Sequence, residues 1–168
     1  MIIRATAKLH NIARMKPVKN ESVITGSLPG EWYASLLSTG RKGGSAMHFL
    51  HNPTMISVIV LGRSISKSLE VFPMRVASLL DRNGFSKLVP GFELDTEPEI
   101  YATNSRNILA NMNQMRFNIE FHLAMSENLD LFDIARNEDL HLEYLFGGKV
   151  AGDRSYIRPV DHLNELLQ

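Results

Sequence analysis

A chain of 168 residues with 44% hydrophobic and 21% charged residues has the size and balance of one globular domain, which excludes a disordered polypeptide and two large domains. The absence of cysteine removes disulfides, thiolate metal sites and a cysteine nucleophile, and no apolar run reaches the ~18 residues of a membrane helix or forms a signal-peptide core, so a cytoplasmic address is expected. Formal charge is zero, yet residues 1–45 hold seven basic residues against two acids, residues 46–90 five against two, and residues 91–168 six against fourteen; this asymmetry either offers nucleic acid a basic face or cancels when the two halves fold together.

Ile2 to Thr6 reads as a first strand, with Thr6 as N-cap of a short helix carrying Leu9, Ile12 and Ala13 that Pro17 ends. A polar stretch with Gly26, Pro29 and Gly30 leads to a second strand, in which Trp32, Ala34 and Leu36 share one face. The Gly40 to Gly44 turn signal precedes strands at Ala46–Leu50 and Met55–Leu61, broken at Asn52-Pro53, which makes an antiparallel meander. The last of these strands sets Ile56, Val58 and Val60 on one side and Ser57, Ile59 and Leu61 on the other, mostly apolar on both, so a central position is expected.

From Ser64 the apolar period becomes helical, with Val76, Leu79 and Leu80 on one face and Pro73 either starting a new helix or kinking an existing one. Gly84 at C′, Phe85 at C″ and Leu80 at C3 are the residue arrangement of a Schellman ending. Glu93, Asp95, Glu97 and Glu99 read as a solvated linker into a fifth strand at Ile100, because the glycine bend and oxygen spacing of a calcium loop are missing. Thr103 or Asn104 then caps the longest helix, which runs to about Ser126. Its residues Ile108, Met112, Met115, Ile119 and Leu123 recur at helical spacing, Phe117 and Phe121 supply a second apolar strip, and the helix is expected to pack on the sheet. A further helix spans Asp130 to Phe146 before Gly147-Gly148, and Pro159 opens a last one ending at Leu166-Leu167. The fold class is α+β: a single domain over residues 1–168, with an antiparallel sheet of four to five strands packed by one long helix, and shorter peripheral helices.

The long helix carries a third strip, Asn107, Asn111, Gln114, Asn118 and His122, where surface helices normally use Lys, Glu and Arg for their better helix propensity. Amides present donors and acceptors together, which suits them to a peptide backbone, a base edge or a loop of this same protein. The strip, extended by Asn104 and by the adjacent Arg106, Asn113 and Glu120, is either internal packing or a binding surface; Arg106 either meets an anion near the helix start or forms an ordinary ion pair.

His48 and His51 fall on opposite faces of a strand, and Glu120 and His122 diverge on their helix, so neither a metal site nor a cofactor is expected. His141, among Glu138, Asp139 and Glu143, reads as part of a solvated helix face, and no G-x-S-x-G elbow, Walker loop or Rossmann fingerprint occurs. The preferred reading is a non-enzymatic binding or regulatory module using the amide-rich helix, with a protein partner or self-association favoured. One alternative is nucleic-acid binding through Arg4, Lys8, Arg14, Lys16, Lys19, Arg41 and Lys42; another is a small hydrolase or nuclease using His122 or His141 with nearby acids. The eight methionines are expected mainly in the core, a dimer surface being the other use of such residues.

Four segments carry a family resemblance: Met1-Ile-Ile-Arg-Ala-Thr-Ala-Lys-Leu9, Trp32-Tyr-Ala-Ser-Leu-Leu37, His51-Asn-Pro-Thr54 with Val58-Ile-Val60, and Thr103-Asn-Ser-Arg-Asn-Ile-Leu-Ala-Asn-Met-Asn113. They resemble a family of small prokaryotic domains of unknown function whose members read M-I-I-R-x-T-x-K-L, W-x-A-x-L-L and N-R-S-x-L-G-S-M-N. The resemblance covers nearly the whole chain and implies no reaction, cofactor or partner. It implies that Asn104, Arg106, Asn111, Met112 and Asn113 belong to the family's most recognisable segment. Ala110 and Asn111 depart from its usual Gly-Ser, and residues 146–156 resemble an insertion.

Overall fold

The computed structural model describes residues 1–20, 28–147 and 156–168. Strand β1 (Ile2–Ala5) runs into helix α1 (Ala7–Ala13), with Thr6 in extended conformation at the N-cap. Strands β2 (Glu31–Ser38), β3 (Ser45–Asn52) and β4 (Ser57–Leu61) follow, joined by tight turns. Helix α2 (Ile65–Arg82) is continuous through Pro73 and starts on Ser64, whose hydroxyl accepts from the Lys67 amide. Its end is the Schellman arrangement expected: Phe85 N–H reaches Leu80 O at 2.7 Å, Gly84 N–H reaches Asp81 O at 3.1 Å, and Gly84 takes φ +83°. A 3-10 helix (Ser86–Phe92), β5 (Glu99–Ala102), α3 (Arg106–Met125), α4 (Leu131–Leu142), β6 (Phe146–Gly147), β7 (Tyr156–Ile157) and α5 (Pro159–Leu166) complete the described elements. Among the described residues no helix is long and apolar enough to cross a membrane.

The main sheet has the order β4-β3-β2-β1-β5. The β2-β3-β4 meander is antiparallel, but β1 pairs parallel with both β2 and β5, so the sheet is mixed where an all-antiparallel one was expected. The cause is connectivity. Helix α1 lies between β1 and β2, and α2 lies between β4 and β5, so the chain returns to the starting end before each of those pairings. Strands β6 and β7 form a separate two-stranded ribbon.

Both faces of the main sheet are covered, not one. Ile3, Trp32, Ala34, Phe49, Val58 and Val60 join Leu9 of α1 and Phe72, Val76, Leu79 and Leu80 of α2 in one core. Tyr33, Leu37, Leu50 and Ile59 join Ile108, Met112, Met115, Ile119 and Leu123 of α3 with Ile134 of α4 in another. This explains the two-sided apolar pattern of β4, which is an edge strand rather than a central one. Helix α4 lies along that edge: Ile134 enters one core, Leu142 the other, and Glu138 Oε1 accepts the outward Ile59 N–H at 2.8 Å. Helix α4 also ends at Leu142, short of the Phe146 expected, and Phe146 is buried through the β6-β7 ribbon instead. Gly26 and most of the 146–156 stretch lie outside the described residues.

Candidate functional site

Helix α3 is capped by Ser105, not Thr103 or Asn104: its hydroxyl accepts from Ile108 N–H at 3.3 Å. Asn104 is left to accept the Tyr33 hydroxyl across the start of the helix. Behind it lies Arg4, fully buried. Its Nε and Nη2 donate to the two carboxylate oxygens of Glu31 at 2.6 Å each, and its Nη1 to Asn20 O at 2.8 Å and Ala102 O at 3.2 Å. Burial alone would lower the Arg4 pKa, but the Glu31 hydrogen bond and charge raise it above its ordinary value. Burial, helped by Glu31, likewise pushes the Tyr33 phenol up. This fork-to-fork pair joins β1 to β2 and takes Arg4 out of any basic surface.

The opposite end of α3 is fixed by the β2-β3 turn. Ser38 N–H donates to Glu120 Oε1 at 2.9 Å, and Arg41 Nη2 donates to the carbonyls of Ser126 and Glu127 at 2.8 Å each. A Cβ at Gly40 would stand 2.5 Å from Ala124 Cβ, so the turn packs directly on the helix. Arg41 is therefore also a structural tie.

Between these fixed ends the predicted strip divides. Asn111 is buried and donates to Gly147 O at 3.2 Å, which makes it internal packing for the β6-β7 ribbon. Arg106, Asn107, Asn113, Gln114, Asn118 and His122 are exposed. Beside them Phe117, Phe121 and Met125, one turn apart, are 75%, 63% and 68% exposed, so the second apolar strip faces outward and not onto the sheet. Arg116 on this helix is paired with Glu120 at 3.0 Å.

Where α3 meets α4 there is a pocket of about 410 Å³, lined by His122, Met125, Ser126, Glu127, Asn128, Asp133, Arg136, Asn137 and Leu140. Sequence reasoning missed it because its walls come from two helices. Asn137 is 4% exposed and its Oδ1 has no hydrogen-bond partner among the described residues. His141, one turn further along α4, is also buried rather than part of a solvated face; its pKa is held at about 4, by burial first and then by His122. His48 stands at about 3 through burial and the nearby His141, with Nε2 2.8 Å from Ser57 Oγ. Glu138, one of the acids around His141 in sequence, is committed elsewhere: its Oε2 accepts from Arg75 and Arg82 at 2.7 Å each. A signal for this was present, since Arg75 and Arg82 are seven residues apart and share one stripe of α2.

The sequence matches the family described as Domain of unknown function (DUF6933) over residues 2–162. The chain belongs to that family. Neither a curated protein nor a solved structure matches it. In this DUF6933 domain, three of the segments that carry the family resemblance converge: Arg4 on β1, Tyr33 on β2 and Asn104 before α3 are neighbours across the sheet, with Arg4 registered between Tyr33 and Tyr101.

Proposed function

We propose that this domain is a non-enzymatic binding module that assembles with a second copy of itself through the outer face of α3. The observation that carries this reading is the outward row of Phe117, Phe121 and Met125 on a helix whose inner face is already buried. Met125 shares the pocket with Leu140, and Leu140 shares the adjoining hollow with Phe132, which is 74% exposed. With aromatic side chains of ~150–250 Å², this set offers on the order of 600 Å² of apolar surface, at the top of what monomers expose and near the ~800 Å² each partner contributes to a standard interface.

The rim favours a like partner. A two-fold contact sets each rim residue near its own copy or a neighbour of it, and Asn113, Gln114 and Asn118 each carry donor and acceptor, so they satisfy one another without like-charge repulsion. A formal net charge of zero adds no long-range barrier between copies. Nucleic acid is the poorer fit: Lys8, Arg14, Lys16, Lys19 and Lys42 are exposed, but Arg4 is buried, Arg41 is tied to carbonyls and Arg116 on the α3 face is already paired. The hydrolase reading is also weaker: His122 lines a pocket with carboxylates, but among the described residues no hydrogen bond orients its ring on any of them.

Light scattering and sedimentation equilibrium on the intact chain test the proposal. The expected particle has about twice the 18.9 kDa chain mass, and a Phe117→Ser/Phe121→Ser variant is expected to be monomeric. A monomeric native chain at ~100 μM, or a dimer that survives the double substitution, overturns it.

A further inference from the structure

We infer that the pocket between α3 and α4 is a binding site for a small zwitterion of the amino-acid class, with an aliphatic side chain. Three features of the pocket point to this ligand. Its walls carry charges of both signs that do not neutralise one another: Arg136 forms no ion pair among the described residues, although Asp133 is only three positions before it on the same helix. Asp133 uses Oδ2 to accept Leu129 N–H at 3.1 Å, which fixes the side chain and leaves its other oxygen available. A cation and an anion held apart in one cleft match a ligand that carries a carboxylate and an ammonium group a few bonds apart.

The second feature is Asn137, which lies beside Arg136 and one turn after Asp133. It is 96% buried, lines the pocket, and its side chain forms no hydrogen bond among the described residues. Leaving an amide oxygen sealed and unpartnered is costly, and buried polar groups are nearly always satisfied. A ligand carboxylate on the Arg136 guanidinium and an ammonium on the free oxygen of Asp133 set the ligand against Asn137, whose amide, held by no hydrogen bond among the described residues, turns to bring its shielded Oδ1 to the ammonium. The third feature is size and lining. About 410 Å³ accommodates a ligand of this kind, and Met125 and Leu140 provide apolar walls for its side chain.

The pocket wall is also held in place from outside. The Arg41 bonds to the carbonyls of Ser126 and Glu127 tie the α3-α4 connection to the β2-β3 turn, so the cleft is built before any ligand arrives. This site does not depend on the docking face proposed above, although Met125 and His122 border both.

The test is a titration of the intact chain, followed by heteronuclear NMR shifts and calorimetry, with L-leucine, isoamylamine and isocaproate as probes. The last two are leucine without its carboxylate and leucine without its ammonium group. Leucine is expected to bind and to move the signals of Asn137 and its neighbours, with each singly charged analogue at least ~10-fold weaker, because each loses one charge-assisted contact. Arg136→Gln and Asn137→Leu are each expected to lose at least ~10-fold in leucine affinity. Arg136 is exposed, so the first variant keeps the fold, and the second removes a polar atom that the fold does not use. No binding by any of the three probes, or an analogue that binds as well as leucine, overturns the inference.

Discussion

The two faces of the main sheet are built on different principles. On the α2 side, Trp32 meets Phe72 edge-on at 4.8 Å, Phe49 meets Phe72 at 4.4 Å, and Trp32 meets His51 at 4.6 Å. His51 has partners on both ring nitrogens, Thr54 Oγ1 at 2.8 Å and Pro29 O at 2.7 Å; the carbonyl can only accept, so Nε2 carries the proton. On the α3-α4 side the apolar core is interrupted by Arg4, Glu31, His48, Asn111, Asn137, Glu138 and His141; among the described residues His48 Nδ1, His141 Nδ1 and Asn137 Oδ1 lack partners here, as Trp32 Nε1 and His10 Nδ1 do on the α2 side. Both faces bury polar groups, but the Arg4–Glu31 ion pair lies in the second, and the pocket and the outward phenylalanines are on that side.

The largest effects of single substitutions should separate the faces by mechanism. Phe72→Ala removes the ring shared by Trp32 and Phe49 and should cost ~3–5 kcal/mol in urea unfolding, with the structure otherwise retained. Glu138→Ala should cost a similar ~3–5 kcal/mol by a different route, because it leaves Arg75 without its carboxylate and Ile59 N–H without an acceptor. A second-site Arg75→Met should recover part of the loss in the Glu138→Ala background but none in the Phe72→Ala background, and a uniform response would break the comparison.

Acid should act next. His48, His51 and His141 have folded-state pKa values of about 3, 3 and 4, all below the ordinary ~6.5 of an unfolded histidine. As pH falls, the unfolded chain takes up these protons first, so the stability held by the neutral rings is complete above ~6.5 and declines from there toward pH 4. Each ring contributes a slope of up to ~1.4 kcal/mol per pH unit. Chemical unfolding measured from pH 8 to pH 4 should be nearly flat at first and then fall, and a flat response below pH 6 would show that these rings are not buried and neutral. The smallest effect sharpens the comparison most: Phe117→Ser and Phe121→Ser should each change the stability of the isolated chain by no more than ~0.5 kcal/mol, because their rings are already in water.

The meander and the end of α2 were legible because their signals are local. Gly40 to Gly44 and Asn52-Pro53 specify turns within a few residues, and Leu80, Gly84 and Phe85 specify a helix ending on their own. The placement of β1 between β2 and β5 was not legible, since no short-range pattern reports whether a returning strand lies parallel or which neighbour it joins. For β4 a two-sided apolar pattern indicated burial correctly and position wrongly, because α4 buries an edge as effectively as another strand would. At the candidate site the amide strip was visible as a pattern, but its division was not. Asn111 is internal only because Gly147 arrives from a distant part of the chain, and Phe117 and Phe121 are outward although their spacing suits a core. The pocket required the angle between two helices, which one-dimensional spacing does not contain.

The Glu138 contact also bears on unwanted association between molecules. The outer side of β4 is where a sheet recruits a strand from another molecule, and a row of open amides there is the usual start of edge-to-edge aggregation. Helix α4 lies over that edge, and its Glu138 carboxylate, held by two arginines, accepts the Ile59 N–H. Partial loosening of α4 would therefore uncover a template for cross-molecular strand pairing before the sheet itself melts, and the concentration the protein tolerates on warming depends on one helix staying docked.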